Sequence, residues 1–177
     1  MRTTEEIQQA LYARGLPLLS VSWLAKEVEH STGPEKIEAA VLDRADFRDR
    51  SVVEHGSIRP ESQATILSSP VSVALALERP VFLQIVVVID ISTACGQVTR
   101  PSGSERTLKL LLTDGEISLP AIEDAPVPGL ETNLPPLTKV CLLKWLMLHG
   151  LLLLRPEYVL VVRPCTTSAQ VQPSTSG

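Results

Sequence analysis

A nearly unbroken apolar run at residues 137–154, LTKVCLLKWLMLHGLLLL, limits the possible folds more than any other part of the chain. Its length approaches that of a membrane-spanning helix. However, Lys139 and Lys144 would place charge inside the bilayer, and His149-Gly150 has the character of a tight turn. The run therefore predicts two buried strands that form a hairpin, at 138–148 and 151–154, and no association with a membrane.

Strand-like patterns continue on both sides of this run. Residues 81–92 (VFLQIVVVIDIS) are rich in β-branched side chains. Residues 107–113 alternate before Asp114-Gly115, a strong hairpin signal, and 116–122 form the partner strand. A closing strand is expected at 158–162 and a short one near 71–75. A barrel of five strands with one long connection, the proline-rich 123–137, predicts a partly open OB-fold. A generic β-sandwich is the main alternative, and a set of five strands is too few for it.

The first third of the chain has helical periodicity. Thr3 and Glu6 have capping-box spacing, and Gly15 and Thr32-Gly33-Pro34 mark boundaries between three short helices. Helices of this length must pack on one another or on the rest of the chain. The predicted fold class is α+β and mostly β, with a small N-terminal three-helix bundle followed by a five-stranded OB-fold barrel. The expected division is 1–50 bundle, 51–80 linker, 81–164 barrel and 165–177 disordered tail.

The composition excludes several classes of protein. Hydrophobic residues make up 44% and charged residues 20% of the chain, which argues against wholesale disorder. A net charge of -4 with scattered arginines and lysines predicts that binding to DNA is weak or indirect. The three widely spaced cysteines form no disulfide or zinc pattern, which favours a reducing compartment.

No reaction centre is predicted. The sequence contains no GxSxG, Walker A or GxGxxG motif, and its three histidines fall in three different elements. Asp46 and Asp49 are interpreted as part of a surface ion-pair cluster, and Cys141 as a buried, unreactive thiol. We therefore expect a protein that is not an enzyme, with no catalytic residues, no metal and no cofactor.

The two tryptophans are the largest candidate recognition residues. Trp23 is predicted to anchor the helical core. Lys144-Trp145 interrupts an apolar strand, so one of the pair must face outward, and both are candidates for nucleic-acid contact. A barrel that binds single strands usually offers stacking aromatics and basic residues on its surface. Since this barrel offers few of either, protein binding is favoured, and direct binding of single-stranded nucleic acid is the alternative.

Several segments match, in order, the motifs of a known family. They are TLKLLLTDG at 107–115, LPPLTKV at 134–140 and GLLLLRPE at 150–157, with FLQI at 82–85, VSWL at 21–24 and DFRD at 46–49 upstream. The chain resembles the RecQ-mediated genome instability protein 1 family, over its N-terminal helical bundle and first OB-fold. The tudor-domain partner of topoisomerase III beta carries a related version of the TLKLLLTDG motif at 107–115. Leu137 and Lys144 stand where the family has glycine.

This resemblance implies a nuclear, non-catalytic subunit that binds a type IA topoisomerase, topoisomerase III. Such subunits support the dissolution of recombination intermediates and genome stability, and a RecQ helicase is implied as a further member of the complex. The family binds the enzyme through the loop between the first two barrel strands, which corresponds to 93–106 here. The implied contact residues within it are Gln97, Val98, Thr99, Arg100 and Pro101.

Overall fold

Three helices precede a large curled β-sheet in the computed structural model, which describes residues 3–30, 34–58, 73–75, 77, 79–92 and 106–164. The helices are α1 (Thr4–Ala13), α2 (Val21–His30) and α3 (Pro34–Arg44). A small antiparallel pair, β1 (Leu18–Leu19) and β2 (Val53–His55), lies beside them. The remaining strands are β3 (Val73–Leu75), β4 (Val81–Asp90), β5 (Leu108–Thr113), β6 (Ser118–Glu123), β7 (Lys139–Leu142), β8 (Trp145–Leu148), β9 (Leu151–Leu154) and β10 (Val159–Val162).

The first helix begins and ends as the sequence predicts. Both capping-box bonds are present, because Glu6 N donates to Thr3 Oγ1 and Thr3 N donates to Glu6 Oε2. Beyond the helix, Gly15 adopts a φ of 98°, and its carbonyl accepts a hydrogen bond from Phe82 N at 2.9 Å. A side chain at this position would collide with Pro80 O. The end of α1 is therefore fixed against the start of β4.

The large sheet follows the order β10-β7-β4-β5-β6-β9-β8-β3. Its neighbours are antiparallel except β6 and β9, which are parallel. Only Leu143 and Lys144 separate β7 from β8, yet β7 pairs with β4 whereas β8 pairs with β9, farther along the same sheet. Because two residues cannot span an open sheet, the sheet must curl back on itself, as it does in an OB-fold.

The apolar run at 137–154 forms strands, and no helix in the described part of the chain could cross a membrane. The expected turn is present at His149 and Gly150, whose φ values of 49° and 78° suit a tight hairpin. The prediction of one unbroken strand over 138–148 was wrong, since the chain bends at Leu143 and Lys144. The described part of the large sheet accordingly contains eight strands rather than five, with β3 and β10 at its two ends.

Two hydrophobic cores share the wall made by β4 and β7. The barrel core contains inward residues such as Leu83, Leu110 and Val140. The second core lies between the helices and the outer side of this wall, where Phe82 and its cross-strand neighbour Cys141 point toward the helices. Partly buried Trp23 packs against this second core, which confirms its predicted role as a core residue.

The segment between the predicted bundle and barrel, 51–80, contributes two short strands. β2 pairs with β1 beside the helices, and β3 pairs with β8 at the edge of the large sheet. The expected short strand near 71–75 is thereby confirmed. The predicted tail at 165–177 lies outside the described residues.

Candidate partner-binding site at the base of the β4–β5 loop

The five predicted contact residues, Gln97 to Pro101, lie outside the described residues, but both stems of their loop are described. At the end of β4, Ser92 donates to Asp90 Oδ1 from its backbone nitrogen (3.0 Å) and from its hydroxyl group (2.6 Å). Across the stems, Ile91 N donates to Thr107 O at 2.9 Å, one step beyond the last ladder pair of β4 and β5. The two ends of the loop are therefore hydrogen-bonded to each other where they leave the barrel.

An ion pair fixes the second stem to the barrel. The guanidinium of Arg106 donates from Nη2 to Glu123 Oε1 at 3.0 Å and from Nε to Glu123 Oε2 at 3.3 Å. Glu123 Oε1 also accepts from Val127 N at 2.8 Å. The Glu123 side chain is only 1% exposed, whereas that of Arg106 is 36% exposed. A two-bond contact to a buried carboxylate holds an arginine in one orientation, so the loop re-enters the barrel at a fixed point.

The two strands that carry the loop, β4 and β5, are held in place by their pairing and by the barrel core. β4 and β5 pair along almost their whole shared length, from Gln84 and Thr113 to Asp90 and Leu108, with one bulge between Ile85 and Val87. On the inner side of β5, Leu108, Leu110 and Leu112 are buried in the barrel core. A loop on such strands can be presented to a partner at a small entropic cost.

A polar junction ties the helices to the outer wall of the barrel. Buried Gln84 accepts from Phe47 N at 2.7 Å and donates to Asp46 Oδ1 at 2.7 Å. Arg48 pairs with Asp46, and its hydrogen bonds hold the pKa of that carboxyl group well below its usual range. The ion-pair role predicted for Asp46 is present, but Asp46 also joins the end of α3 to β4.

Lys139 completes this junction. Its side chain is fully buried, and Nζ donates to Leu42 O at 2.8 Å and to Leu137 O at 3.0 Å. Nζ also lies 4.9 Å from the centroid of the Phe47 ring. Burial lowers the pKa of Lys139 to about 8, although Asp46 and Asp43 favour the charged form. The sequence marked Lys139 as evidence against a membrane helix and did not indicate this structural role.

The structure separates the two residues proposed for nucleic-acid contact. Trp145 is 2% exposed and lies in the barrel core, whereas Lys144 is exposed, with Nζ 5.3 Å from the centroid of the Tyr158 ring. Because the Trp145 ring is enclosed, it is unavailable for stacking on a base. The burial of Trp145 argues against that half of the proposed contact. Phe82, another aromatic of the barrel, is also buried.

Sequence reasoning missed a groove on the outer side of β4. Its volume is about 290 Å³, and it lies between the β4 bulge, Arg48 and the proline-rich segment before β7. One wall includes Leu137, which adopts a φ of 66°, a conformation that costs a side-chain-bearing residue roughly 1 kcal/mol or more. The only sequence signal for this groove is the LPPL motif at 134–137.

The described residues include no group of three or more His, Cys, Asp or Glu side chains placed to hold a metal ion. Cys141 is buried, and burial raises the pKa of its thiol to about 11, as expected for an unreactive cysteine.

A curled mixed sheet capped by helices defines the OB-fold class. Comparison with known families gives the same OB-fold class and, within it, one particular family. The family described as "RMI1, N-terminal OB-fold domain" matches residues 58–162, and the chain belongs to this family. The resemblance inferred from the ordered motifs is thereby confirmed.

A curated relative extends this match into the helical region. RecQ-mediated genome instability protein 1 from Danio rerio is 29% identical to the chain over 160 residues. The alignment covers 80% of this chain and 31% of the relative. The chain therefore spans about a third of the length of that protein.

Proposed function

We propose that this chain is a non-catalytic, nuclear subunit that binds a type IA topoisomerase of the topoisomerase III class. In this role it supports the dissolution of recombination intermediates such as double Holliday junctions, and thereby genome stability. Membership of the RMI1 family and the name of the Danio rerio relative support a role in genome stability and an association with a RecQ helicase complex. The topoisomerase is the direct partner in this proposal, and the helicase joins through the complex.

The observation that carries the proposal is the anchoring of the β4–β5 loop at its base. Arg106 is fixed by the buried carboxylate of Glu123, and the Ile91–Thr107 hydrogen bond closes the two stems. A loop with fixed ends loses less conformational entropy on binding than a loose one, which favours insertion into a partner. The proposed contacts are Gln97, Val98, Thr99, Arg100 and Pro101, an apolar tip with one cation.

The test replaces residues 93–105 by a short Gly-Ser turn and leaves both stems intact. We expect the melting temperature to change little and the affinity for a purified topoisomerase III to fall by roughly tenfold or more. Stimulation of double Holliday junction dissolution should fall in parallel. A matched control is Leu160→Ser, which removes an exposed apolar side chain from β10. Unchanged affinity in the loop variant would rule out the loop as the binding site.

Salt dependence separates this proposal from direct binding of single-stranded nucleic acid. The net charge of -4 and the burial of Trp145 both disfavour the latter. We expect weak binding of an oligothymidylate at low salt and none at physiological salt. Tight binding that falls steeply with salt, and that is lost in Lys144→Glu, would favour the nucleic-acid alternative.

A further inference from the structure

The outer face of β4, β5 and β6 exposes an apolar strip. On β4, Ile89 is 54% exposed and Val87 is 43% exposed; on β5, Leu111 is 36% exposed. Val87 lies directly opposite Leu111 in the ladder, and Leu111 lies opposite Pro120 of β6. These side chains point away from the barrel core, since burial alternates along β5 and β6. The strip therefore runs across three neighbouring strands rather than being one isolated residue.

The helices cover the same outer face of β4 only in part. Phe82 is buried beneath them, and Gln84 bonds to Phe47 at their edge. Beyond Gln84 this face is more exposed, and the apolar strip begins at Val87. Contiguous exposed apolar surface of this kind is typical of a binding surface on a soluble protein.

The groove beside the β4 bulge continues this strip. Val87 contributes to both, and the opposite wall is made by Leu134, Pro135 and Leu137. The volume of about 290 Å³ is near the lower limit of ligand pockets, enough for one or two side chains. Leu137 holds a left-handed conformation that glycine would adopt without strain, and it is one of the residues that line the groove.

Lys109 gives the strip one positive charge, although the chain carries a net charge of -4. The outward residues of the strip are Val87, Ile89, Lys109, Leu111, Ser118, Pro120 and Ile122, and Lys109 is the one charged residue among them. Lys109 lies opposite Ile89 in the ladder. Arg48 lines the groove, and its side chain is 52% exposed. Its Nε and Nη2 atoms bond to Asp46.

We propose that the strip and groove bind a short acidic segment of a partner protein that carries bulky apolar residues. Apolar side chains of the segment cover Val87, Ile89 and Leu111, a carboxylate pairs with Lys109, and a neighbouring side chain of the segment enters the groove. This site lies on the side of the strands and does not require residues 93–105. It is therefore a second interaction surface, beyond the loop of the proposed function.

The experiment uses the full chain and two fluorescein-labelled peptides of equal length. One alternates Leu and Ile with Glu; the other carries Lys in place of Glu. By fluorescence anisotropy, we expect the acidic peptide to bind roughly tenfold more tightly than the basic one. Lys109→Glu should reverse this preference, and Val87→Ser should weaken both peptides. Leu160→Ser, on β10, should change nothing, although that leucine is 54% exposed.

Amide chemical shifts of the unaltered protein provide a readout that does not depend on how the variants fold. The acidic peptide should shift the amides of 86–89, 109–111, 132–134 and Leu137 and leave those of β10 in place. Binding of both peptides with equal affinity, or binding that Lys109→Glu leaves unchanged, would overturn the proposal. Loss of peptide binding in the Gly-Ser loop variant would show that the peptide binds the loop and not the strip. Displacement of the peptide by an oligothymidylate would show that the strip binds nucleic acid instead.

Discussion

Lys139 is a buried cation whose surroundings compensate for only part of the cost of removing it from water. Two backbone carbonyls, Leu42 O and Leu137 O, accept its hydrogen bonds, and the Phe47 ring faces its ammonium group. Asp46 and Asp43 favour its charged form, but they do not offset the effect of burial. The desolvation of a charge usually exceeds what neutral acceptors return, which explains a folded-state pKa of about 8 against an ordinary value of 10.5.

This difference predicts how stability depends on pH. Between about pH 8 and pH 10.5 the unfolded chain binds the proton on Lys139 more tightly than the folded chain does. The free energy of unfolding should therefore rise with pH across this interval, by about 3 kcal/mol if no other group titrates. In Lys139→Met this rise should be absent, and stability at pH 7 should be equal to or above that of the unaltered protein.

Urea unfolding measured from pH 7 to pH 10.5 checks this expectation on both proteins. Other groups that titrate in the interval contribute equally to the two, so the difference between the curves isolates Lys139. If stability depends on pH in the same way in both proteins, burial of Lys139 does not cause the predicted rise.

Single residues also mark where sequence reasoning reaches its limit. Alternation along 138–148 could not decide whether Lys144 or Trp145 faces outward, because the decision depends on the bend at Leu143 and Lys144. A break of two residues resets the alternation, and which face is buried then follows from the new pairing of β8 with β9. The Trp145 indole nitrogen is buried without a hydrogen-bond partner among the described groups, an arrangement that the sequence gives no reason to expect.

Among the elements, the β4–β5 loop depends most on a single contact, between Arg106 and Glu123. Removing the guanidinium leaves a buried carboxylate whose one remaining partner among the described groups is Val127 N. Arg106→Met should therefore destabilise the fold by roughly 1–2 kcal/mol, a figure reduced because the arginine is partly exposed. It should also increase the rate of amide hydrogen exchange at Ile91, whose N–H donates to Thr107 O.

A double-mutant cycle tests whether this effect arises from the unpaired carboxylate. Glu123→Gln in the Arg106→Met background replaces a buried charge by a neutral acceptor, so it should recover part of the lost stability. If the two substitutions simply add in urea unfolding, the contact does not anchor the stem. Binding to topoisomerase III should weaken in Arg106→Met even at temperatures where the fold is fully populated, since the loop loses its fixed base.

The turn between β5 and β6 illustrates what a local signal can and cannot predict. Asp114-Gly115 correctly predicts the hairpin, and Asp114 Oδ1 accepts from Glu116 N and Ile117 N within it. However, Asp114 is fully buried and also accepts from Ile58 N, fifty-six residues earlier in the chain. A side chain at Gly115 would come within 2.6 Å of Phe47 O. The turn is thus packed beneath the helical region, a contact that local sequence patterns do not encode.

At the scale of the whole molecule, the helices and the barrel contact each other directly, and no simple boundary divides them. The order and type of most elements follow from periodicity, capping and turn residues, as does the family. Their docking does not, because it depends on pairs far apart in sequence, such as Phe47 with Gln84 and Leu42 with Lys139. The division predicted from the sequence, with a bundle that ends at residue 50 and a barrel that begins at residue 81, treats the helices and the barrel as separate parts. The second core includes Phe82 and Cys141 together with the helices, which favours one cooperative unit.

The two tryptophans offer a direct test, since Trp23 lies in α2 and Trp145 in β8. Trp145→Phe leaves Trp23 to report on the helices, and Trp23→Phe leaves Trp145 to report on the barrel. In each single-tryptophan variant, fluorescence and far-ultraviolet circular dichroism should give the same urea midpoint and slope, because the shared core couples the two parts. Within Trp145→Phe, a fluorescence transition at lower urea than the circular dichroism transition would mean that the helices detach first. The polar junction of Gln84 and Lys139 would then be too weak to unite the two parts, and the division near residue 81 would be a true domain boundary.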